Sequence, residues 1–170
     1  MNTKKIKTGK RFKREIVSIL ITCTKKDVFL GKRLMLMQMN KDGNIGFPNS
    51  NVKDNENLQE ALERMLFENL NLKKETFMLN PFCSHLIAPK SKNKKIASHL
   101  FNISVTEEQM LEIIKNSVSS NDFITNSRGN FLMDVRANSK KYNNKLLRRS
   151  NLLRAVREEL ELIIPYFGSH

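Results

Sequence analysis

One segment of the chain carries charged residues at a spacing that could do chemistry. Between residues 58 and 70 the apolar residues recur with the period of an amphipathic helix. Arg64 and Glu68 stand four residues apart, so their side chains would lie on one face as an ion pair. Positions 65, 68 and 69 also fall near one side of an ideal helix, where carboxylates could converge on a divalent cation. With Met65 and Asn69 in the sequence, that side offers one carboxylate, Glu68.

The spacing resembles a Nudix box, which reads G-x5-E-x7-R-E-U-x-E-E-x-G-U with U a bulky apolar residue. The matching residues are Glu56, Arg64, Leu66, Glu68 and Leu72, whereas Ser50 and Asn71 replace the two glycines and Met65 and Asn69 replace two glutamates. In active Nudix enzymes the box glutamates hold Mg²⁺ or Mn²⁺, so the resemblance implies a cation site with two ligands missing. Magnesium takes one or two carboxylates plus substrate phosphates. We therefore expect no resident cofactor or preformed metal site, and at most weak Mg²⁺ or Mn²⁺ binding at Glu68.

Other segments resemble one branch of the Nudix family, which contains the snoRNA-decapping and inosine-diphosphate-hydrolysing enzymes and syndesmos, the Tudor-interacting repair regulator. These segments are 36–39, 42–43, 46–48, 84–86, 97–101 and 106–109. The resemblance covers about residues 15–117. It implies an α/β protein, a Nudix-type α/β/α sandwich with a mixed sheet.

The replaced glutamates favour a Nudix fold without ordinary Nudix hydrolysis, that is, a pseudoenzyme. Its expected role is to bind a protein partner, as the non-hydrolysing relative syndesmos does, with added affinity for nucleic acid. Two alternatives stay open: direct RNA binding, and residual metal-dependent hydrolysis of nucleotides or RNA caps by acids at other positions. Related members of the branch also imply a homodimer.

Charge points to a polyanionic partner. Lysine and arginine number 30 against 17 acidic residues, a formal net charge of +13, and such an excess favours binding to RNA or DNA. The candidate nucleic-acid or partner-binding residues are Lys4, Lys5, Lys7, Lys10, Arg11, Lys13, Arg14, Lys90, Lys92, Lys94, Lys95, Arg148 and Arg149. The first seven suit a nuclear localisation signal, so we expect a nuclear or nucleocytoplasmic protein. A solubilising tail is the alternative explanation of that cluster.

Length and composition predict one Nudix-like domain at residues 15–168, preceded by a basic, flexible arm at residues 1–14. We predict strands at 15–22, 34–39, 77–88, 95–105 and 131–136, helices at 58–70, 106–117 and 145–163, and loops at 49–57 and 119–130. No apolar run is long enough to span a membrane, and a membrane partner is not expected.

Phe47, His85 and His99 are candidates for the walls of the cleft. The two histidines stand on neighbouring predicted strands and could bind a base, a phosphate or a metal, or act as hydrogen-bonded structural residues. Phe47 could stack on a base or belong to the core. The purine-contacting histidine of the branch corresponds to Ser18 here, so base recognition is expected to differ.

Overall fold

The computed structural model describes residues 14–24, 32–72, 80–87, 96–120, 127–136 and 151–164. These stretches contain ten helices and strands. In chain order they are β1 Arg14–Thr24, β2 Lys32–Asn40, β3 Ile45–Gly46, β4 Asn49–Asn51, α1 Leu58–Leu70, β5 Asn80–Ile87, β6 Ile96–Val105, α2 Glu107–Ser117, β7 Ser127–Arg136 and α3 Arg154–Ile163.

The seven strands form one mixed sheet with β1 near its centre. On one side β1 runs parallel to β6, and β6 pairs antiparallel with β5. The other edge of β1 pairs with two strands: residues 16–18 pair with β4, and residues 22–24 pair with β2. Between these two pairings the N–H of Ile19 donates to the carbonyl of Pro48 at 3.0 Å. The sheet therefore divides along this edge of β1, and β2 continues outward to β3 and β7.

Helices cover both faces of the sheet. Val17, Ile19 and Ile21 of β1 share a buried cluster with apolar residues of α1 and α2. Leu20, which points to the opposite face because side chains alternate along a strand, shares a second cluster with residues of α3. This arrangement confirms the predicted α/β/α sandwich with a mixed sheet.

The ends of α1 are fixed by local hydrogen bonds. The side chain of Asn57 accepts from the N–H of Glu60 at 3.0 Å, and the Glu60 carboxylate accepts from the N–H of Asn57 at 2.8 Å, which is a capping box. At the other end Asn71 adopts the left-handed region with φ 53° and donates its N–H to the carbonyl of Phe67. The helix occupies the predicted residues 58–70, so the direction in which Arg64 and Glu68 point is set by its own sequence.

Two strands were missed and one predicted loop was too long. β3 and β4 were not predicted, and β4 lies inside the predicted loop at 49–57. β7 begins at Ser127, so the predicted loop at 119–130 is too long. The described part of the last helix begins at Arg154, whereas its predicted start near residue 145 lies outside the described residues. Within the described stretches, no helix has the length and apolar character to cross a bilayer.

Candidate active site

The guanidinium of Arg64, in the middle of α1, is the centre of a hydrogen-bonded cluster. Its Nε and Nη2 donate to the two carboxylate oxygens of Glu56 at 2.6 and 2.9 Å. Its Nη1 donates to Oε2 of Glu68 at 2.9 Å and to the hydroxyl of Ser50 at 3.0 Å. Nη2 also donates to the carbonyl of Asn51 at 2.8 Å. These bonds match the five N–H groups of a guanidinium and tie α1 to β4.

Glu56 and Arg64 form an ion pair at neutral pH. The hydrogen bond from Arg64 lowers the pKa of Glu56 to about 2, against the opposing effect of burial. The same bond raises the pKa of Arg64 above its ordinary value. Bidentate pairing of this kind holds both side chains in a fixed geometry. The carboxylate of Glu56 also accepts from the N–H of Lys53 at 3.0 Å, which fixes the loop that leads into α1.

Glu68 is the more exposed of the two carboxylates in the cluster. Its side chain is 40% exposed, against 12% for Glu56. Arg64 engages only Oε2 of Glu68, so the other oxygen is available to a ligand. The sequence predicted Glu56, Arg64 and Glu68 as one set, and the structure brings them together.

Met65 and Asn69 occupy the two replaced positions of the box and both serve the fold. Met65 is 0% exposed and belongs to the cluster between α1 and the sheet. Asn69 is 6% exposed, and its Nδ2 donates to the carbonyl of Asn49 at 3.1 Å. A carboxylate at position 69 could not make this bond, because an ionised carboxylate only accepts. The amide therefore satisfies a carbonyl of β4 without any cation.

The donor set limits how a divalent cation could bind. Among the described residues, no group of three His, Cys, Asp or Glu side chains lies together in a way that could hold a metal ion. Mg²⁺ commonly keeps several waters and binds through one or two carboxylates and the phosphates of its substrate. The available oxygen of Glu68 fits that mode of binding. It does not fit a site that is complete before the substrate arrives.

A pocket of about 230 Å³ opens where the sheet divides. Side-chain amides dominate its lining, which consists of Gln38, Asn40, Asn44, Gly46, Phe47, Asn49 and Leu153. Two of these amides are held in place: Oδ1 of Asn40 accepts from the N–H groups of Asp42 and Asn44, and Nδ2 of Asn49 donates to the carbonyl of Phe47. Each amide offers both donors and an acceptor. A lining without charged side chains suits a neutral ring with polar edges.

Gly46 brings the backbone of β3 against the last helix at the pocket wall. A Cβ added there would lie 3.0 Å from Cδ1 of Leu153 and 3.2 Å from Cγ2 of Val156. Such distances are tighter than ordinary van der Waals contact, so glycine allows the close approach. The carbonyl of Ile45 also accepts from the N–H of Leu153 at 2.9 Å. This contact fixes one side of the pocket.

The strand β4 connects the pocket to the cluster of Arg64. Asn49 lines the pocket, while its carbonyl accepts from Asn69 of α1. The next residue, Ser50, is bound by Arg64, which also holds Glu68. Asn49 and Ser50 are thus adjacent residues of one strand, with one lining the pocket and the other bound to Arg64.

Comparisons with known proteins identify the family to which this chain belongs. A family model described as "Nudt16-like: U8 snoRNA-decapping enzyme-like" matches residues 18–145. The chain belongs to the Nudt16-like family. A U8 snoRNA-decapping enzyme of Homalodisca vitripennis is 29% identical over 108 residues, which are 64% of this chain and 57% of that protein. The match thus spans little more than half the length of that relative.

Solved structures agree on the fold. A mutT/nudix family protein from Listeria innocua has a TM-score of 0.61 at 17% identity, over 89% of this chain and 92% of that one. A pyrophosphohydrolase from Bacillus subtilis has a TM-score of 0.56 at 14% identity, over 98% of this chain and 85% of that one. At these identities the likeness concerns the fold alone, which is the fold of Nudix family proteins.

The comparisons overturn the prediction of a pseudoenzyme. The family model and the Homalodisca relative both carry the name of a decapping enzyme, whereas the prediction had taken Met65 and Asn69 to favour loss of catalysis. The structure gives the physical reason for the error. Both residues have roles in packing and backbone hydrogen bonding, and they leave the Glu56, Arg64 and Glu68 cluster of this Nudt16-like chain intact.

The predicted cleft residues are Phe47, His85 and His99. Phe47 lines the pocket and is nearly fully buried. The strand register pairs His85 with Ser98 and His99 with Ser84. Nε2 of His99 lies 3.7 Å from a carboxylate oxygen of Glu15. The roles of the two histidines in a cleft stay predictions.

Most of the predicted basic residues lie outside the described part of the chain: Lys4, Lys5, Lys7, Lys10, Arg11, Lys13, Lys90, Lys92, Lys94, Lys95, Arg148 and Arg149. Arg14 is described. It is exposed at the start of β1, and its Nε donates to Oδ1 of Asn51. Since Asn51 also accepts from Arg64, this basic residue stands beside the candidate site.

Sequence reasoning named Ser50 as a replaced glycine and Phe47 as a cleft residue, but it missed the contacts of β4 with Arg64 and the amides of the pocket. Ser50 and Asn51 bind Arg64, and the amides of Gln38, Asn40 and Asn44 line the pocket. In sequence these residues are typical of turns and polar loops. The one available signal was the number of amides around the Asp42-Gly43 turn, which exceeds what a turn requires.

Proposed function

We propose that this protein hydrolyses the phosphoanhydride bond of a nucleoside diphosphate linked to another group, with capped RNA as the main substrate class. The observation that carries the proposal is the continuity of the amide pocket and the Arg64 cluster through β4. A nucleotide needs a polar but uncharged pocket for its base and an ionic site for its phosphates. Asn49 of the pocket and Ser50 of the cluster are consecutive residues of β4.

Each part of the site has a separate task in this proposal. The amides of Gln38, Asn40 and Asn44 bind the polar edges of the base, and Phe47 supports the pocket from the core. Glu68 is the residue that would hold Mg²⁺ or Mn²⁺ together with the substrate phosphates. A bound divalent cation supplies Lewis-acid polarisation of a phosphoryl oxygen. Arg64 is a positioning residue, because it holds Glu68 and the backbone of β4 in one geometry.

Replacement of Glu68 by glutamine tests the proposal. Glutamine keeps the length of the side chain but removes its charge, so hydrolysis should fall about a hundredfold, the scale of losing one group that acts in a transition state. The measurement is product formation from nucleoside diphosphates, cap dinucleotides and capped RNA with Mg²⁺ or Mn²⁺ at high enzyme concentration. Glu63→Gln is the matched control, since Glu63 lies on the same helix and pairs with Gln59 instead.

The activity of the control variant Glu63→Gln shows whether a loss of hydrolysis in Glu68→Gln is specific to Glu68. Turnover that survives in Glu63→Gln and disappears in Glu68→Gln supports the assignment. Wild-type protein that hydrolyses none of these substrates above the level of Glu68→Gln would refute the proposed activity. Thermal unfolding of both variants shows that each remains folded.

The net charge of +13 and the name of the Homalodisca relative support RNA as the polymer attached to the hydrolysed group. We accordingly propose that the protein acts on RNA in the nucleus or in both nucleus and cytoplasm. Binding of a protein partner and formation of a homodimer remain predictions from the sequence.

Binding to RNA should depend steeply on salt. If four phosphates are neutralised, the affinity for a capped RNA of about twenty nucleotides should fall about fiftyfold between roughly 50 and 200 mM salt. Fluorescence anisotropy measures this with the catalysis suppressed by Glu68→Gln. A cap dinucleotide is the control, because it lacks the chain of phosphates. An affinity for the long RNA that is no more salt-dependent than that for the dinucleotide would contradict an extended basic RNA surface.

A further inference from the structure

Asn51, the last residue of β4, contacts two guanidinium groups. Its main-chain carbonyl accepts from Nη2 of Arg64 at 2.8 Å, and its side-chain Oδ1 accepts from Nε of Arg14, the first residue of β1. The strand register agrees with the second contact, because Asn51 pairs with Ile16 and Arg14 is two residues before Ile16. Arg14 and Asn51 therefore lie on one face of the paired strands, as diagonal neighbours.

The two guanidiniums bound by Asn51 differ in how their charge is balanced. Arg64 pairs with two carboxylates of the cluster. Among the described residues, no carboxylate forms an ion pair with Arg14. Its neighbour Glu15 belongs to the opposite face of β1, and the Glu15 carboxylate lies 3.7 Å from Nε2 of His99. Arg14 is thus an exposed cation whose charge the described residues leave uncompensated.

The hydrogen bond to Asn51 also orients the guanidinium of Arg14. It uses Nε, and within the described stretches the two terminal nitrogens of Arg14 bind no other group. A guanidinium is planar and presents its remaining N–H groups as a fork that can hold two oxygens of one phosphate. Arg14 therefore has the charge, the free donors and the fixed orientation of an anion-binding residue.

Arg14 is held on the strand that also borders the pocket. Asn49 lines the pocket and lies two residues before Asn51 on β4, so the two asparagine side chains point to the same face. Two residues of a strand span about 7 Å. The ribose and phosphate of one nucleotide can cover such a distance. An anion at Arg14 can therefore be linked to a base in the pocket.

The sequence next to Arg14 favours a polymer of phosphates over a single anion. Residues 1–13 contain six lysines and arginines and no acidic residue. A chain of phosphates that reaches Arg14 arrives at the start of β1, next in sequence to this basic segment. Such an excess of positive charge favours polyanions through the release of their counterions.

We propose that Arg14 binds a phosphate of the RNA chain that follows the nucleotide in the pocket, and that Asn51 is the positioning residue that orients Arg14. This assignment rests on the proposed function, because it requires a base in the pocket. It also gives the RNA a direction, since the chain leaves the pocket along β4 toward Arg14 and away from Leu153. Arg14 then distinguishes capped RNA from free nucleotides.

Replacement of Arg14 by glutamine tests the proposal by fluorescence anisotropy, on full-length protein that also carries Glu68→Gln to suppress hydrolysis. Loss of one charged phosphate contact should lower the affinity for a capped RNA of about twenty nucleotides about tenfold. The slope of log affinity against log salt should become shallower by about 0.7, because one phosphate fewer is neutralised. The affinity for a cap dinucleotide, which lacks the RNA chain, should change less than about twofold on this scale. Lys115→Gln removes a charge from an exposed position on α2 and should leave both affinities unchanged.

Replacement of Asn51 by alanine tests the positioning role. Alanine keeps the main-chain carbonyl that binds Arg64 and removes the side chain that holds Arg14. The affinity for the capped RNA should fall about threefold, the scale of ordering one long side chain on binding. Adding Asn51→Ala to Arg14→Gln should cause no further loss, since the two residues act as one unit. A loss that simply adds to that of Arg14→Gln would refute the role of Asn51.

Three results would overturn the assignment of Arg14. They are an unchanged affinity for RNA in Arg14→Gln, an equal loss for the RNA and the dinucleotide, and an equal loss in Lys115→Gln. Thermal unfolding checks that each variant is folded. If Arg14→Gln fails to fold, Arg14→Lys replaces it: lysine keeps the charge and lacks the fork, so the affinity for RNA should fall while the salt slope stays the same.

Failure of the proposed function would give a different pattern. A protein without turnover on any substrate that still loses affinity only for RNA in Arg14→Gln would keep the assignment of Arg14. A protein with turnover whose affinity for RNA is unchanged in Arg14→Gln would keep the proposed function and lose the assignment.

Discussion

Replacement of Arg64 by methionine is expected to lower the free energy of unfolding by about 3 kcal/mol and to reduce hydrolysis with it. Methionine keeps the apolar stem but removes five hydrogen bonds, and it leaves the mostly buried carboxylate of Glu56 without its main partner. Glu68 and β4 would lose the group that joins them. Urea unfolding at pH 7 measures the loss of stability, which corresponds to a fall in Tm of about 9 °C for a domain of this size.

The dependence on pH distinguishes loss of this ion pair from a general packing defect. The folded pKa of Glu56 is about 2 against an ordinary 4.5, so the pair contributes stability above pH 4.5 and loses it as pH falls toward 2. Wild type and Arg64→Met should therefore differ most at pH 7 and converge near pH 2. Lys115→Met, an exposed cation on α2, is the control. An equal difference between wild type and Arg64→Met at pH 7 and pH 2 would contradict the role given to Glu56.

The helices could be predicted because their signals are local. The apolar period and the box Asn57-x-x-Glu60 specify where α1 begins, and a second capping box at Thr106 and Gln109 does the same for α2. Strands β3 and β4 gave no such signal. Strand β4 contains two asparagines, a residue type of low strand propensity. It forms because it pairs with a distant part of the chain, residues 16–18. The division of the sheet depends on this nonlocal pairing.

The residues of the site that lie on α1 or directly before it could be predicted from the sequence. Helix spacing placed Arg64 beside Glu68 and the resemblance to the Nudix box added Glu56, whereas the contribution of Ser50 follows from how β4 pairs with β1. The replaced residues Met65 and Asn69 were identified correctly in the sequence, but the conclusion that they favour a pseudoenzyme was wrong. Sequence showed which carboxylates were missing, and only the structure showed that Asn69 binds the carbonyl of Asn49.

Asn69→Asp should make the stability of the protein depend on divalent cations. Without Mg²⁺, the new carboxylate would face the carbonyl of Asn49 in a nearly buried position and near Glu68 in sequence, which should cost about 3 kcal/mol. With Mg²⁺, the two carboxylates and the carbonyl are oxygen ligands of the kind this ion prefers. Cation binding to the folded state alone should then restore about 4 °C of Tm at a concentration roughly tenfold above its dissociation constant.

The comparison that matters is the shift in Tm with Mg²⁺, because the loss of stability alone has several causes. Wild type should show a smaller shift, since its Asn69 amide already satisfies the carbonyl of Asn49 and donates where a cation would need an acceptor. Asn116→Asp adds the same charge on a different helix, α2. Mg²⁺ should raise its Tm no more than it raises that of wild type. If wild type and Asn69→Asp gain equally from Mg²⁺, then position 69 does not lie at the cation site. The candidate ligand set would in that case exclude the β4 carbonyl and rest on Glu68 and the substrate phosphates alone.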